Sequence, residues 1–217
     1  MGGKIILLKH QAPALMKIGA NLHLYKHESF SERFSPERKS FIRDIEPHEA
    51  HSKIQKIKDD IKNNWQLAES GSNDIVLWNK KAAAAYESAD LVQETTTRIA
   101  DGESGNQFTA CFINDEVAGV MAWTRDPGTP GLYIDSIFSH PGVRGAGTAL
   151  MEHLVNMSEY MGEKGIINLD VMDPDAANIY ARLGFTVSGT VLDMHLCPDS
   201  TKGPWKKTSE GEWRFEG

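Results

Sequence analysis

The stretch that most limits what this chain can become is LYIDSIFSHPGVRGAGTALMEHL, residues 132–154. Residues 132–139 read as a strand, Pro141 and three glycines as a turn, and from about Thr148 the apolar spacing becomes that of an amphipathic helix. Gly142, Gly145 and Gly147 have no Cβ, so the backbone can turn sharply there and a ligand can come close to it. The amide N–H groups of Arg144, Gly145, Ala146 and Gly147 then lie at a helix start, where the dipole adds positive potential. A phosphate suits such a turn, and Arg144 can add a cation beside it. Taken alone, Gly-x-Gly at a strand-to-helix junction is equally well a plain turn.

A second segment, INLDVMDPDAANIYARLGF, follows at residues 167–185. Together the two stretches resemble the GCN5-related N-acetyltransferase (GNAT) superfamily, whose coenzyme-binding part runs strand, Gly-rich turn, helix, strand, short helix, Leu-Gly-Phe. The resemblance covers residues 75–196, with 132–185 its specific part. It implies an α/β (α+β) acyl-CoA N-acyltransferase fold, a mixed sheet with helices on both faces. It also implies direct transfer of an acetyl group from acetyl-CoA, the co-substrate, to a primary amine of a small molecule or protein. By the same resemblance, the backbone of Ile137, Phe138 and Ser139 would bond the pantetheine arm. Gly142, Val143, Arg144, Gly145, Ala146, Gly147 and Thr148 would hold the diphosphate. Tyr180 matches the tyrosine that protonates the leaving thiolate, and Asp135 lies where an acidic base is often found. Asp173 stands at the position of a coenzyme-contacting Asn, where it would bring negative charge towards a polyanion. The family pattern is Gln or Arg, two residues, then Gly-x-Gly; here position 142 is Gly, close behind Pro141, which implies a shortened turn.

The chain of 217 residues, 40% hydrophobic and 24% charged, has the composition of an ordinary globular protein. It divides on this reading into an N-terminal extension (1–73), the acetyltransferase-like domain (74–196) and a C-terminal tail (197–217) folded back over it. The apolar run at residues 5–8 is too short to span a membrane and lacks the form of a signal peptide. Met1-Gly2 fails as a myristoylation start, because Ile6 stands where Ser or Thr is required. Two cysteines, Cys111 and Cys197, give no disulfide framework and no metal-ligand spacing; a reduced, cytoplasmic protein with packing cysteines is expected. Residues 1–70 carry 12 Lys and Arg against 9 Asp and Glu, and the remainder 11 against 21. An acidic catalytic half repels nucleic-acid phosphates and favours a cationic or amine-bearing partner.

In chain order, residues 5–8 and 21–25 read as short strands, and Ser35-Pro36-Glu37 as a helix start. Pro47 opens a helix to about residue 70, with Ile54, Ile57, Ile61, Trp65 and Ala68 on one stripe; Gly71, Ser72 and Asn73 then break the pattern. Residues 75–78 read as the first strand of the main domain, and 82–100 as helix. A hairpin joins 107–113 to 117–124 across Asn114-Asp115-Glu116. After the central strand and its helix, with Leu150, Leu154, Met157 and Met161 facing inward, come a strand at 166–171, a helix at 175–183, and strands at 186–189 and 191–196. Trp205, Trp213 and Phe215 in the tail are expected to be covered.

Acyl transfer to an amine needs alignment, a proton acceptor, and stabilisation of the oxyanion and the leaving thiolate. A lysine-like amine of pKa near 10.4 becomes neutral at pH 7 at a cost of roughly 4.6 kcal/mol, an α-amino group at about 1. A base such as Asp135 therefore matters most for a lysine-like acceptor. His140 has a suitable intrinsic pKa but sits beside the phosphate turn, where hydrogen bonding within the turn is its alternative role. Two other readings stay open: a degenerate relative that binds coenzyme A or a protein without transfer, and a nucleotide-binding protein of another α/β class. The glycine turn, deep in the chain with no lysine after it, argues against the latter. The acceptor's identity, and whether the protein is a monomer or a homodimer, stay open at this point.

Overall fold

The computed structural model describes residues 40–64 and 73–217, apart from 101, 103, 104, 141, 142, 144, 172, 173, 190, 191, 201 and 202. The strands read at 5–8 and 21–25, the helix start at Ser35 and the break at Gly71 and Ser72 lie outside these residues, as do Trp65 and Ala68.

A seven-stranded sheet runs through the molecule. Its strands are β1 (Ser40–Ile45), β2 (Gln107–Ile113), β3 (Glu116–Thr124), β4 (Leu132–Ser139), β5 (Ile167–Asp170), β6 (Thr186–Val187) and β7 (Asp193–Leu196), arranged β1-β2-β3-β4-β5-β7-β6. Among the described strands only β4 and β5 pair in parallel; every other ladder is antiparallel. Asn114 and Asp115 make the β2–β3 turn with φ of 52° and 65°, the left-handed pair that a two-residue hairpin requires and that Asn and Asp tolerate.

Both faces of the sheet are covered, so β3 is apolar on each side: Val120 and Ala122 face one core cluster, Met121 and Trp123 the other. Helices α1 (Pro47–Asn64) and α2 (Asn73–Ala100) cover the first face. Ala50, Ile54, Ile57 and Ile61 form the buried stripe of α1, and a polar clasp ties it to α2. In that clasp Lys58 pairs with Asp90 and donates to Gln93 Oε1 at 2.7 Å, while Gln93 Nε2 donates to Gln55 Oε1 at 2.9 Å. Helices α3 (Ala146–Tyr160) and α4 (Pro174–Arg182) cover the second face. Leu150 and Leu154 are buried there, with Met157 and Met161 packed at the margin.

The strand read at residues 75–78 is helix instead, part of the 28-residue α2. A four-residue apolar run cannot distinguish the two states; the longer stripe decides. Trp78, Ala82, Ala85, Ala89 and Val92 are buried at helical spacing, while Val76 and Leu77 are 61% and 51% exposed. Among the described strands one edge of the sheet is β1, in register with β2 from Ser40 opposite Ile113 to Ile45 opposite Phe108. Residues 40–64, which the sequence division puts in the extension, thus contribute a strand of the main sheet and a helix packed on it.

The last residues form a small hairpin, β8 (Trp205–Lys207) with β9 (Trp213–Phe215), after a 3-10 turn at Pro198–Ser200. Trp205, Trp213 and Phe215 are buried within the α3/α4 cluster. No described helix is long and apolar enough to cross a membrane.

If α2 is helical through residues 75–78, adjacent apolar residues there differ sharply in worth. Trp78→Ala is expected to cost about 3–5 kcal/mol of unfolding free energy, and Val76→Ala less than about 0.5 kcal/mol, both read from urea denaturation.

Candidate functional site

The site starts from a fault in the sheet. Trp123 pairs with Ile134 and Ala122 with Ser136, so Asp135 is an extra residue in β4, a β-bulge. On its other edge β4 pairs with β5 only from Leu132 opposite Ile167 to Ile134 opposite Leu169. Beyond that point the strands separate. Val171 donates its N–H to Leu192 O at 2.8 Å, carrying the chain after β5 away from β4. The bulge and the parting occur at the same place, and β4 continues to Ser139 beyond the last rung it shares with β5.

Ile137, Phe138 and Ser139 lie in that continuation. Their ladder to β3 is intact, opposite Met121, Val120 and Gly119, and all three are buried. The chain then turns, with Val143 N–H donating to His140 O at 3.0 Å, and enters α3. Gly145 is the N-cap, at φ 85°, a conformation costly for any residue with a Cβ. Helix α3 begins at Ala146 rather than about Thr148, so Gly147 lies inside the first turn and the amides of Ala146, Gly147 and Thr148 lead the helix. Among the described residues no side chain caps this end, and no acidic residue occupies its first turn, which suits an anion. Gly142, Arg144 and Asp173 lie outside the described residues.

Tyr180, on α4, is wholly buried, and its hydroxyl has no hydrogen-bond partner among the described residues. A buried phenol ordinarily finds one, so an orphan hydroxyl suits a partner that arrives with a ligand. Burial holds its pKa well above the usual phenol value, which keeps the proton on oxygen. Phe185 meets the ring edge-on, centroids 5.4 Å apart.

Asp135 is partly buried at the bulge. Burial raises its carboxyl above the usual range, a donated hydrogen bond from Asn106 and the charge of Arg98 pull it back, and Asp170 pushes it up further. Asp170, at the end of β5, is itself raised, first by burial, against a hydrogen bond from Tyr133; Asp193 lies opposite it on β7. Ser136, beside the bulge, is buried, and its hydroxyl has no partner among the described residues. The sequence reading singled out none of Asn106, Asp170, Asp193 and Ser136; Ser136 alone was findable, as the neighbour of Asp135.

His140 is neutral at pH 7, because burial pushes its pKa down to about 4 against the opposing charge of Asp60. Cys111 is buried and its thiol is pushed up to about 11, the state of a packing residue.

Asp135 carries a folded-state penalty when ionised, since its folded pKa lies above its unfolded one. That penalty is absent below the unfolded value near 3.9 and grows as pH rises through the folded value. Asp135→Asn is therefore expected to raise the thermal midpoint at pH 7, with the gain fading towards pH 3, as followed by circular dichroism across that range.

A mycothiol acetyltransferase from Sanguibacter keddieii is 30% identical over 119 residues, which are 54% of this chain and 37% of that protein. The chain thus spans well under two thirds of this curated relative. Among solved structures, one from Desulfovibrio desulfuricans assigned to the GNAT acetyltransferases superposes with a TM-score of 0.50 at 16% identity, over 73% of this chain and 98% of that one. An N-acetyltransferase from Thermoplasma acidophilum in complex with coenzyme A gives 0.46 at 15%, over 72% and 98%. The family model described as Acetyltransferase (GNAT) family matches residues 67–185, more than half of the chain. The chain belongs to the GNAT family of acetyltransferases.

Proposed function

We propose that this protein transfers an acetyl group from acetyl-CoA directly to a primary amine, with no acyl-enzyme intermediate. The observation that carries the reading is the parting of β4 from β5 after Ile134 and Leu169, beside the uncapped start of α3. A pantetheine arm can lie along Ile137, Phe138 and Ser139 as an added strand, bonded by the backbone. The diphosphate then meets the amides of Ala146, Gly147 and Thr148, with Gly142, Val143, Arg144 and Gly145 completing the turn. Asp173 keeps its coenzyme contact on resemblance alone.

In this arrangement Asp135 accepts a proton from the ammonium of the acceptor. The freed nitrogen attacks the thioester carbonyl, the C–N bond forms, and the tetrahedral adduct sheds its second N–H proton as the C–S bond breaks. Tyr180 protonates the departing thiolate. One proton goes to solvent in the net reaction. Raising a carboxyl towards neutrality makes it a better base, and burial does that for Asp135. Asp170 and Asp193, paired across β5 and β7, add negative charge beyond it and favour an acceptor that arrives as a cation. We place the reaction in the cytoplasm, in keeping with two free cysteines.

Purified protein mixed with acetyl-CoA and a panel of mono- and polyamines should release free coenzyme A thiol. Tyr180→Phe should lower kcat about 10²-fold or more while leaving the Kd for coenzyme A, measured by calorimetry, unchanged. Coenzyme A binding with no thiol release from any amine would mark a binding protein instead, and no binding at all would sink the assignment.

A further inference from the structure

The last carbonyls of a helix have no partner within it. Behind α4, the Leu183 carbonyl accepts a hydrogen bond from the indole Nε1 of Trp205, 2.7 Å away and 22 residues later. The indole is buried, and the Phe215 ring meets it edge-on at 5.5 Å. It lies over Gly184, whose φ of +92° and bare Cα allow the approach; a Cβ there would come within 3.3 Å of Pro204 Cδ and 3.4 Å of the indole.

The same turn folds back on Tyr180. Leu183 and Phe185 both donate their N–H groups to Tyr180 O, at 2.9 and 3.1 Å, and the Phe185 ring abuts the phenol. Contact therefore runs without a gap from Trp205 through residues 183–185 to Tyr180. The other strand of the hairpin is fixed to α3, the helix behind the glycine turn. Asn156 Nδ2 donates to Trp213 O at 3.0 Å and its Oδ1 accepts the Trp213 N–H at 2.7 Å; the Trp213 indole donates to Glu159 at 3.0 Å and the Phe215 N–H to Glu152 at 2.8 Å.

The geometry points to Trp205 as a positioning residue for the Tyr180 phenol: its indole N–H fixes the turn at residues 183–185, and that turn sets where the hydroxyl stands. The inference rests on Tyr180 acting at the thioester sulfur and extends that role to the C-terminal hairpin. A hairpin that only stabilised the fold would be served equally by its anchors on α3, so the two ends of the hairpin can be set against each other.

The test compares Trp205→Phe, Trp213→Phe and Tyr180→Phe by steady-state kinetics, coenzyme A calorimetry and thermal melting. Both tryptophan variants lose one indole hydrogen bond from the same hairpin. Trp205→Phe is expected to lower kcat about tenfold with the KM for acetyl-CoA and the Kd for coenzyme A within about twofold, as for a misplaced reacting group. Trp213→Phe is expected to lose thermal stability with kcat within about twofold of the parent. Equal losses of kcat in the two variants, or none in either, overturn the inference while leaving the Tyr180 reading intact. A Tyr180→Phe enzyme with parental kcat overturns the reading of Tyr180 itself, and this inference with it. Should Trp205→Phe not fold, Phe215→Leu, which removes the ring holding the indole edge-on, carries the same comparison with Trp213→Phe.

Discussion

The parallel ladder between β4 and β5 governs this molecule through the point at which it stops. Backbone amides and carbonyls are obligatory hydrogen-bonding groups, and a central strand that loses its neighbour must find other partners or a ligand. Two local features set the stopping point. The bulge at Asp135 bends β4, and the Val171 N–H turns to Leu192 O, drawing the chain after β5 towards β7. Either change alone would shift a few rungs; together they open a sheet that is otherwise sealed by helices on both faces.

That opening concentrates unusual electrostatics. Burial acts on each titratable group around it, but the consequences differ by chemistry. It keeps His140 neutral and the proton on Tyr180, so neither carries charge at pH 7. It raises the Asp135 carboxyl, against the hydrogen bond from Asn106 and the charge of Arg98. Asp135, Asp170 and Asp193 stand on the neighbouring strands β4, β5 and β7, and repulsion among them pushes Asp135 and Asp170 up further.

Much of this was legible in the sequence, for reasons that are local. The hairpin announces itself in Asn114-Asp115, since few residues tolerate paired positive φ. The central strand, Leu132–Ser139, has the bounds read from its apolar run, because glycine and proline punctuate both ends. Tyr180 is singled out by its place in a motif; that it is wholly buried, with no partner for its hydroxyl among the described residues, no spacing could tell. Failures came where a short window met a longer-range decision. Residues 75–78 are apolar enough for a strand, yet only Trp78 joins the stripe that continues through Val92. Helix α3 starts at Ala146, two residues ahead of the sequence reading, because Gly147 in its first turn is a poor helix former and, with Gly145 as the cap, reads as a continuation of the turn.

Contacts that bridge distant segments leave no spacing to read. Asn106 reaches Asp135 across 29 residues, and Trp205 reaches Leu183 across 22. In the sequence, Trp205 shows only as an aromatic that ought to be covered; which carbonyl its N–H would satisfy follows from the path of the folded chain. The helix carrying Tyr180 is nine residues long, too short to be stable by propensity, so its geometry has to be imposed from outside. Phe185 and the sheet constrain it from one side, and the buried indole of Trp205 from its C-terminal end. A short helix held at its last turn by a segment that is also fastened to α3 couples the two helices flanking the opening. The placing of the Tyr180 phenol then becomes a property of the Trp205 end of the hairpin as well as of the sheet, while the Trp213 end serves the stability of the fold.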